Sequence, residues 1–483
     1  MNFEHVTKAV DLGWKRPYFA YFCDPGTGKT RITLLDAKKN FDAKKIDALL
    51  VIAKNSGKTN WVIWDHMIED PKTDEDQVSK VLGPDVIKGV WISGATGKDK
   101  QCWRDFEKKI DQPEGRLIIL SINYEALLSN QFFEFLCEFC RTRQVMIAAD
   151  ESTRIGEPGS KRTKQAIKLA KLCVKRRLLS GTPITKTPMK IYSQAKFLGD
   201  GAIGYTSFYS FRARYAKMGG FGGREIVGYR NMDELSRKIE SFSFRVLAEE
   251  CLDLPEKTFV KRRVYLTPEQ TKAYNEMRKE FFTEVGADQI TATIVLTQMT
   301  RLQQILGGYG TTQDGKVVEI ITPERNPKIT EAIEIIEDAP GQCIVWCRFK
   351  SEIDAMVFLL KKKKISFYEF HGGITDTEER VRIRKAFQRG ERQVIVATAS
   401  TGGDSIDEFK VATTVIFVSN DFDTEKRVQA ERRNWRAGMD TSKPVTYYDI
   451  LVPNTVDTKI LGVLRGDAQM SAKVLKESWR EWI

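Results

Sequence analysis

The sequence predicts an α/β protein made of two parallel-sheet lobes in tandem, with helical insertions between and around them. Three observations carry this expectation. Short apolar runs rich in branched residues alternate with amphipathic stretches, the order that builds parallel sheets. The runs are continuous rather than alternating, as strands buried on both faces require. They also fall into two groups, one before Pro188 and one after Pro327.

The first group begins with "YFAYFC" and continues through "DALLVIAKN", "RLIILSINYE", "QVMIAADES" and "RRLLSGTP". The second comprises "QCIVWCRF", "ISFYEFHGG", "QVIVATAS", "TTVIFVSND" and "VTYYDILV". Between them the chain is richer in aromatic and charged helical patterns. The expected organisation is a first lobe over 1–200 with a helical insertion over 201–254. A linker and helical insertion of the second lobe follow over 255–325, then the second lobe over 326–465 and a helical tail over 466–483. A chain of 483 residues is in any case long for one compact domain.

Composition narrows the function classes. At 41% hydrophobic and 29% charged residues, the chain reads as globular, and no apolar run reaches the length of a membrane span. The N-terminal stretch carries no secretory pattern, so a cytoplasmic location is expected. The single C-x-x-C, Cys137/Cys140, has no second pair, and the chain has only His5, His66 and His371. A zinc site is not expected, and the cysteines read as buried, reduced thiols. A net charge of +12 suits a polyanionic partner.

Several predicted strands end in small or polar residues, and in open parallel sheets ligands bind beyond the carboxyl ends of strands. The most specific case is "CDPGTGKT", between the run "YFAYFC" and the amphipathic "RITLLDAKK". Strand, glycine loop and helix form the context of a phosphate-binding loop. Gly26, Thr27 and Gly28 would bring backbone amides to phosphate oxygens. Lys29 would supply positive charge, and Thr30 a hydroxyl for Mg²⁺. Cys23 stands where the longer pattern G-x-x-x-x-G-K-[ST] has its first glycine.

After "QVMIAA", Asp150 is placed to hold the metal and Glu151 to act as general base on an attacking water. "SGTP", Ser180 to Pro183, follows another apolar run and by itself could be an ordinary turn. In "QAERRNWRAG", Arg433 and Arg436 are three apart and would share a helix face. An arginine brought to a γ-phosphate accelerates its transfer, while a solvated basic helix would look the same.

Taken together, "DPGTGKT", "DEST", "SGTPI", "ATASTGGDSID" and "QAERRNWRAG" resemble the motifs of superfamily 2 helicases and translocases, in order and at matching spacings. The Swi/Snf-like group is the nearest, especially its compact phage and bacterial members such as phage branch-migration helicases. "LLVIAKNSGKTNWVIWDH", "INYEAL", "LDLPEK", "YLTPEQ" and "LTQMTRLQQILGGY" are similar to that group's connecting segments. Such loops keep only the short G-x-G-K-T core, so the resemblance accounts for Cys23.

The resemblance implies that both lobes are RecA-like and that ATP and Mg²⁺ are the cofactors. It makes Gln429, Arg433 and Arg436 the last helicase motif, with the arginines as fingers. Gly402, Gly403 and Asp404 become a motif that senses nucleotide and nucleic acid, and Ser180 and Thr182 couple hydrolysis to lobe movement. Lys54, Asn123, Arg348 and Thr398 lie where nucleic-acid backbone contacts are expected. The chain departs from the pattern in three ways. No glutamine precedes Gln77 to read adenine, so contacts near Trp14 to Tyr18 would have to replace it. "DEST" is neither DEAD nor DEAH, and Ser405 and Ile406 stand where Gly-Leu is usual.

Two basic patterns remain open. Lys164, Lys168, Lys171 and Lys175 recur at helical spacing, as a phosphate-tracking face or a solvated one. Arg212, Arg214 and Lys217 are interleaved with Phe208, Tyr209, Phe211 and Tyr215, a mixture that suits either nucleic acid or core packing. The expected function is an ATP-driven DNA translocase or helicase that acts as a monomer on duplex or branched DNA, in branch migration or fork remodelling. The alternatives are an RNA helicase and a non-catalytic nucleic-acid-binding protein with a degenerate site.

Overall fold

The structure is a computed structural model that describes residues 4–55, 57–67, 76–185, 187–285, 292–312, 315–374, 376–399, 408–436 and 438–475. The chain divides into two compact units, with the boundary between Leu252 and Asp253. Each unit is built on its own parallel sheet. No helix among the described residues is long and apolar enough to cross a membrane.

The first unit holds β1 (Tyr18–Cys23), β2 (Ala48–Ala53), β3 (Val86–Val90), β4 (Leu117–Asn123), β5 (Val145–Asp150) and β6 (Lys175–Leu179). A separate hairpin of β7 (Ala216–Gly219) and β8 (Glu225–Tyr229) follows, then β9 (Ser243–Val246). The main sheet runs β3-β4-β2-β5-β6-β1-β9, and every pairing is parallel. Its central strands explain the continuous apolar runs. Every residue of β2 and β4 is buried, because helices cover both faces of the sheet.

The second unit holds β10 (Lys257–Arg263), the small antiparallel pair β11 (Tyr309–Thr311) and β12 (Val317–Glu319), then β13 (Cys343–Cys347) and β14 (Phe367–Phe370). β15 (Val394–Thr398), β16 (Thr414–Phe417) and β17 (Val445–Leu451) complete it. Its main sheet runs β10-β17-β16-β13-β15-β14, again all parallel.

The segments between the two groups of runs are less helical than the sequence suggests. Residues 201–254 carry helices, but also the β7–β8 hairpin and β9, which joins the main sheet beside β1. Residues 255–325 contribute β10 to the edge of the second sheet as well as helices. β10 reads "KTFVKRR", and an edge strand needs little apolar surface: Phe259 stacks on Tyr447 with ring centroids 5.1 Å apart.

The lysine stripe is also broken. The helix Lys161–Ala170 ends before Lys171, and Lys175 opens β6 instead. Its buried Nζ donates to the carbonyls of Trp14 at 2.7 Å and Arg16 at 3.2 Å. All eight cysteines are free thiols; six are buried, while Cys102 and Cys251 are half-buried.

Candidate functional site

In the first sheet β5, β6 and β1 are neighbours, so the loops after their carboxyl ends share one edge. Those loops are "DEST", "SGTP" and "DPGTGKT". The glycine loop is built for anions. Gly26 and Gly28 have φ of 83° and 89°, a left-handed conformation that side chains with a Cβ resist. Gly28 is also the N-cap of the helix Lys29–Asp42 and offers no capping side chain, so the positive end of that helix faces the loop. Thr27 closes the loop by donating from Oγ1 to the Asp24 carbonyl at 2.7 Å.

Lys29 folds over this loop, its Nζ donating to the carbonyl of Cys23 at 2.9 Å. The contact uses the Cys23 backbone, which any residue supplies. The thiol itself is fully buried, and that burial pushes its pKa up to about 12, so it stays neutral. Cys23 therefore acts as a small apolar side chain where the longer loop pattern has a glycine. From the helix Glu4–Gly13, His5 donates from Nε2 to the Thr27 carbonyl at 2.8 Å.

Asp150 is held from three sides. Its Oδ2 accepts from Trp61 Nε1 at 3.0 Å, its Oδ1 from the Glu151 amide at 3.0 Å, and its carbonyl from Tyr124 Oη at 2.6 Å. These donors fix the carboxylate at the strand end. Glu151 sits at φ 50° and ψ 58°, a conformation that costs a non-glycine residue about 1–2 kcal/mol. Strain of this kind persists where its surroundings over-determine it, and it concentrates at functional sites.

Two residues that the sequence reading missed tie the loops together. Arg245, on edge strand β9, donates from Nη1 to the carbonyls of Phe22 at 2.8 Å and Gly181 at 3.0 Å. Its Nη2 lies 3.2 Å from Asp24 Oδ1. Gln194 accepts from Ser152 Oγ at 2.7 Å and donates to the Pro183 carbonyl at 2.8 Å, joining "DEST" to "SGTP". Within "SGTP", the Thr182 amide donates to Ser180 Oγ at 3.1 Å. Neither connector belongs to a local pattern. The only hint in the sequence was an arginine set inside the short apolar stretch "FRV".

The residues suit the cofactors expected. Thr30 and Asp150 offer a hydroxyl and a carboxylate, the hard oxygen donors that Mg²⁺ takes. The glycine loop, the helix end and Lys29 suit a nucleoside triphosphate.

Lys54 and Asn123 follow or end the neighbouring strands β2 and β4 on the same edge. The Lys54 carbonyl accepts from the amides of Gly57 and Lys58, and Asn123 Nδ2 lies 3.3 Å from both Asn55 Oδ1 and Glu125 Oε2.

In the second unit Arg433 is 5% exposed; it donates from Nη2 to the Ala399 carbonyl at 3.1 Å and lies 5.2 Å from the Trp346 ring centroid. Gln429 donates to Glu425 Oε1 at 3.1 Å along the same helix. The expectation that Arg433 and Arg436 share a helix face fails, because the helix Thr424–Asn434 stops short of Arg436. Trp435 leaves it with ψ at 88°.

Arg348 follows β13, where its guanidinium contacts Gln303 and Thr300 and lies 3.8 Å from Asp421. Thr398 ends β15. Gly402, Gly403, Asp404, Ser405 and Ile406 lie outside the described residues.

The sequence has known relatives. Residues 22–309 match the SNF2-related domain, and residues 327–438 match the helicase conserved C-terminal domain. The first match alone covers more than half of the chain, which belongs to the SNF2-related family.

Among its relatives, the putative ATP-dependent helicase/translocase YwqA of Bacillus subtilis is 24% identical over 343 residues, 69% of this chain and 36% of that protein. The uncharacterized ATP-dependent helicase MG018 of Mycoplasma genitalium is 25% identical, over 68% of this chain and 31% of its own length. The TATA-binding protein-associated factor mot1 of Aspergillus fumigatus is 24% identical, over 68% of this chain and 20% of its own. The chain thus spans a fifth to a little over a third of these relatives. The Sulfolobus solfataricus SWI2/SNF2 ATPase core in complex with dsDNA aligns over 99% of this chain and 98% of its own, with a TM-score of 0.41 and 20% identity.

Proposed function

We propose that this chain is an ATP-driven motor that moves along double-stranded DNA. The observation that carries the reading is the shared edge after β5, β6 and β1, where Arg245 and Gln194 join the three loops into one connected site. A site built this way can pass a change at the nucleotide to the rest of the unit. Family membership, the net charge of +12 and relatives named as ATP-dependent helicases or translocases support the same assignment.

In this mechanism Gly26, Thr27 and Gly28 cradle the phosphates with their amides, and Lys29 exchanges the Cys23 carbonyl for a phosphate oxygen. Thr30 and Asp150 would hold Mg²⁺, which would supply neutralisation of the phosphate charge. Glu151 takes the proton of the attacking water, and its strained backbone fixes the turn from which it acts. Arg433 and Arg436, assisted by Gln429, stabilise the charge that develops on the transferred phosphoryl group. Gly403 and Asp404 sense the nucleotide. Ser180 and Thr182 relay the change within the first unit. Lys54, Asn123, Arg348 and Thr398 hold the DNA backbone.

The specific track proposed is duplex or branched DNA, in branch migration or fork remodelling. ATPase rates with single-stranded, duplex, forked and four-way DNA, and with RNA, at fixed salt test the track. Stimulation greatest on duplex or four-way DNA is expected. Stimulation by RNA and not by DNA would overturn the assignment.

A further inference from the structure

The β7–β8 hairpin belongs to neither the main sheet nor the nucleotide site, and it exposes apolar surface. Met218 and Ile226 stand opposite each other across the hairpin, 37% and 38% exposed. The register slips after Lys217, which leaves Val227 as the bulged residue, 63% exposed. Bulges re-aim side chains, and here the re-aimed one is a β-branched apolar residue facing water.

The tip is "GGFGGR", and Gly220, Gly222 and Gly223 all have φ between 65° and 67°. Space beside Gly222 and Gly223 is open, so a partner can come close to the backbone there. Lys217 and Arg224 are exposed and make no ion pair among the described residues. From Phe208 to Glu234 the chain has five basic residues, Arg212, Arg214, Lys217, Arg224 and Arg230, against Glu225, Asp233 and Glu234, and Arg214 is paired with Glu234.

The base of the hairpin is rigid by comparison. The Arg230 amide donates to the Tyr215 carbonyl at 2.9 Å, and Tyr215 packs on Phe211 with centroids 4.8 Å apart. Tyr229 Oη donates to Thr187 Oγ1 at 2.9 Å. Thr187 caps the short helix Pro188–Lys190, four residues beyond "SGTP" in the chain, so the hairpin is fastened to the segment after that loop.

We infer that this hairpin is a duplex-binding arm that enters the major groove of DNA. A two-stranded β-ribbon fits that groove, apolar side chains contact thymine methyl groups there, and the basic flanks meet the phosphates on either side. The net positive charge selects a polyanion over a neutral protein surface. The exposed valine and methionine explain what a purely electrostatic contact would not need. The inference rests on the DNA-motor reading and adds to it a contact site outside the helicase motifs.

The test uses the full chain. Lys217→Glu/Arg224→Glu and Met218→Asp/Val227→Asp alter only exposed side chains. Duplex binding is followed by fluorescence anisotropy over a salt series, beside ATPase rates with and without DNA. The charge-reversed variant should bind duplex about tenfold more weakly, with a salt slope smaller by about 2, since each lost phosphate contact removes about 0.9. The Asp variant should also weaken binding, and both should keep the wild-type ATPase rate without DNA. A photo-crosslinking residue at Val227 should label duplex DNA.

Wild-type duplex binding and DNA-stimulated ATPase in both variants, without a crosslink to DNA, would overturn the hairpin's role. That result would leave the motor reading intact and turn the apolar tip towards a protein partner. Absence of DNA stimulation in the wild-type protein would instead break the motor reading, while the crosslink would still report on the hairpin.

Discussion

The strand-end loops of the two units differ in what they store. In the first unit they present backbone amides, a lysine and two carboxylates, held together by Arg245, Gln194 and Trp61. In the second unit the described part of that edge presents guanidinium groups. Arg433 rests on the Ala399 carbonyl, and nearby Arg427 is locked between Glu431 at 2.7 Å and Asp449 at 2.5 Å, stacked 3.6 Å from the Phe417 ring centroid. The first edge thus offers polar groups on a glycine loop, while the arginines of the second are buried and held by carboxylates, a carbonyl and aromatic rings. Each unit is built around its own buried network, and the proposed function divides the labour between them: phosphate binding in the first, the arginines in the second.

The largest predicted effect separates the halves chemically. Arg433→Ala should slow ATP hydrolysis by about 10³–10⁵ while leaving nucleic-acid binding in place. If binding vanishes and hydrolysis persists, the arginine belongs to the DNA contact instead. Glu151→Gln should slow turnover by about 10²–10⁴ yet still bind ATP, which a filter-binding assay with labelled nucleotide reads. Undiminished turnover would remove Glu151 from the base role.

The next effect concerns the foundation of the second unit. Arg427→Ala leaves Asp449 and Glu431 buried without their cation, and removing one partner of such a group costs about 3–5 kcal/mol. A urea titration should show the second unit unfolding earlier while the first keeps its midpoint. A common shift in both would mean that the two units do not fold independently.

The smallest effect is a pH dependence confined to the first unit. Burial depresses Lys175 from its usual 10.5 to about 8. Between those values the unfolded chain binds more protons than the folded one, so stability should rise with pH across that window. Lys175→Met should flatten the rise, measured as the urea midpoint against pH. A slope unchanged by the substitution would place the titration elsewhere.

Much of this arrangement was readable from local patterns. The strand–loop–helix grammar around Gly26 to Thr30 and the polar end of "QVMIAAD" both depend on neighbours in sequence. What escaped depends on distant neighbours. Arg245 and Gln194 reach the loops only through folding, and nothing beside them in the chain announces it. β9 is too short and β10 too charged to read as strands, because edge strands need only one partner and little burial. Arg436 escaped for a local reason: the basic pattern continues past Asn434, but the backbone turns away at Trp435.

The measurement that tests the central claim most directly is displacement of a third strand from a DNA triplex. A motor sliding on duplex should release that strand when ATP is added, and Lys29→Ala should release none. ATP hydrolysis by the wild-type protein without release, or release that needs no ATP, would contradict the account.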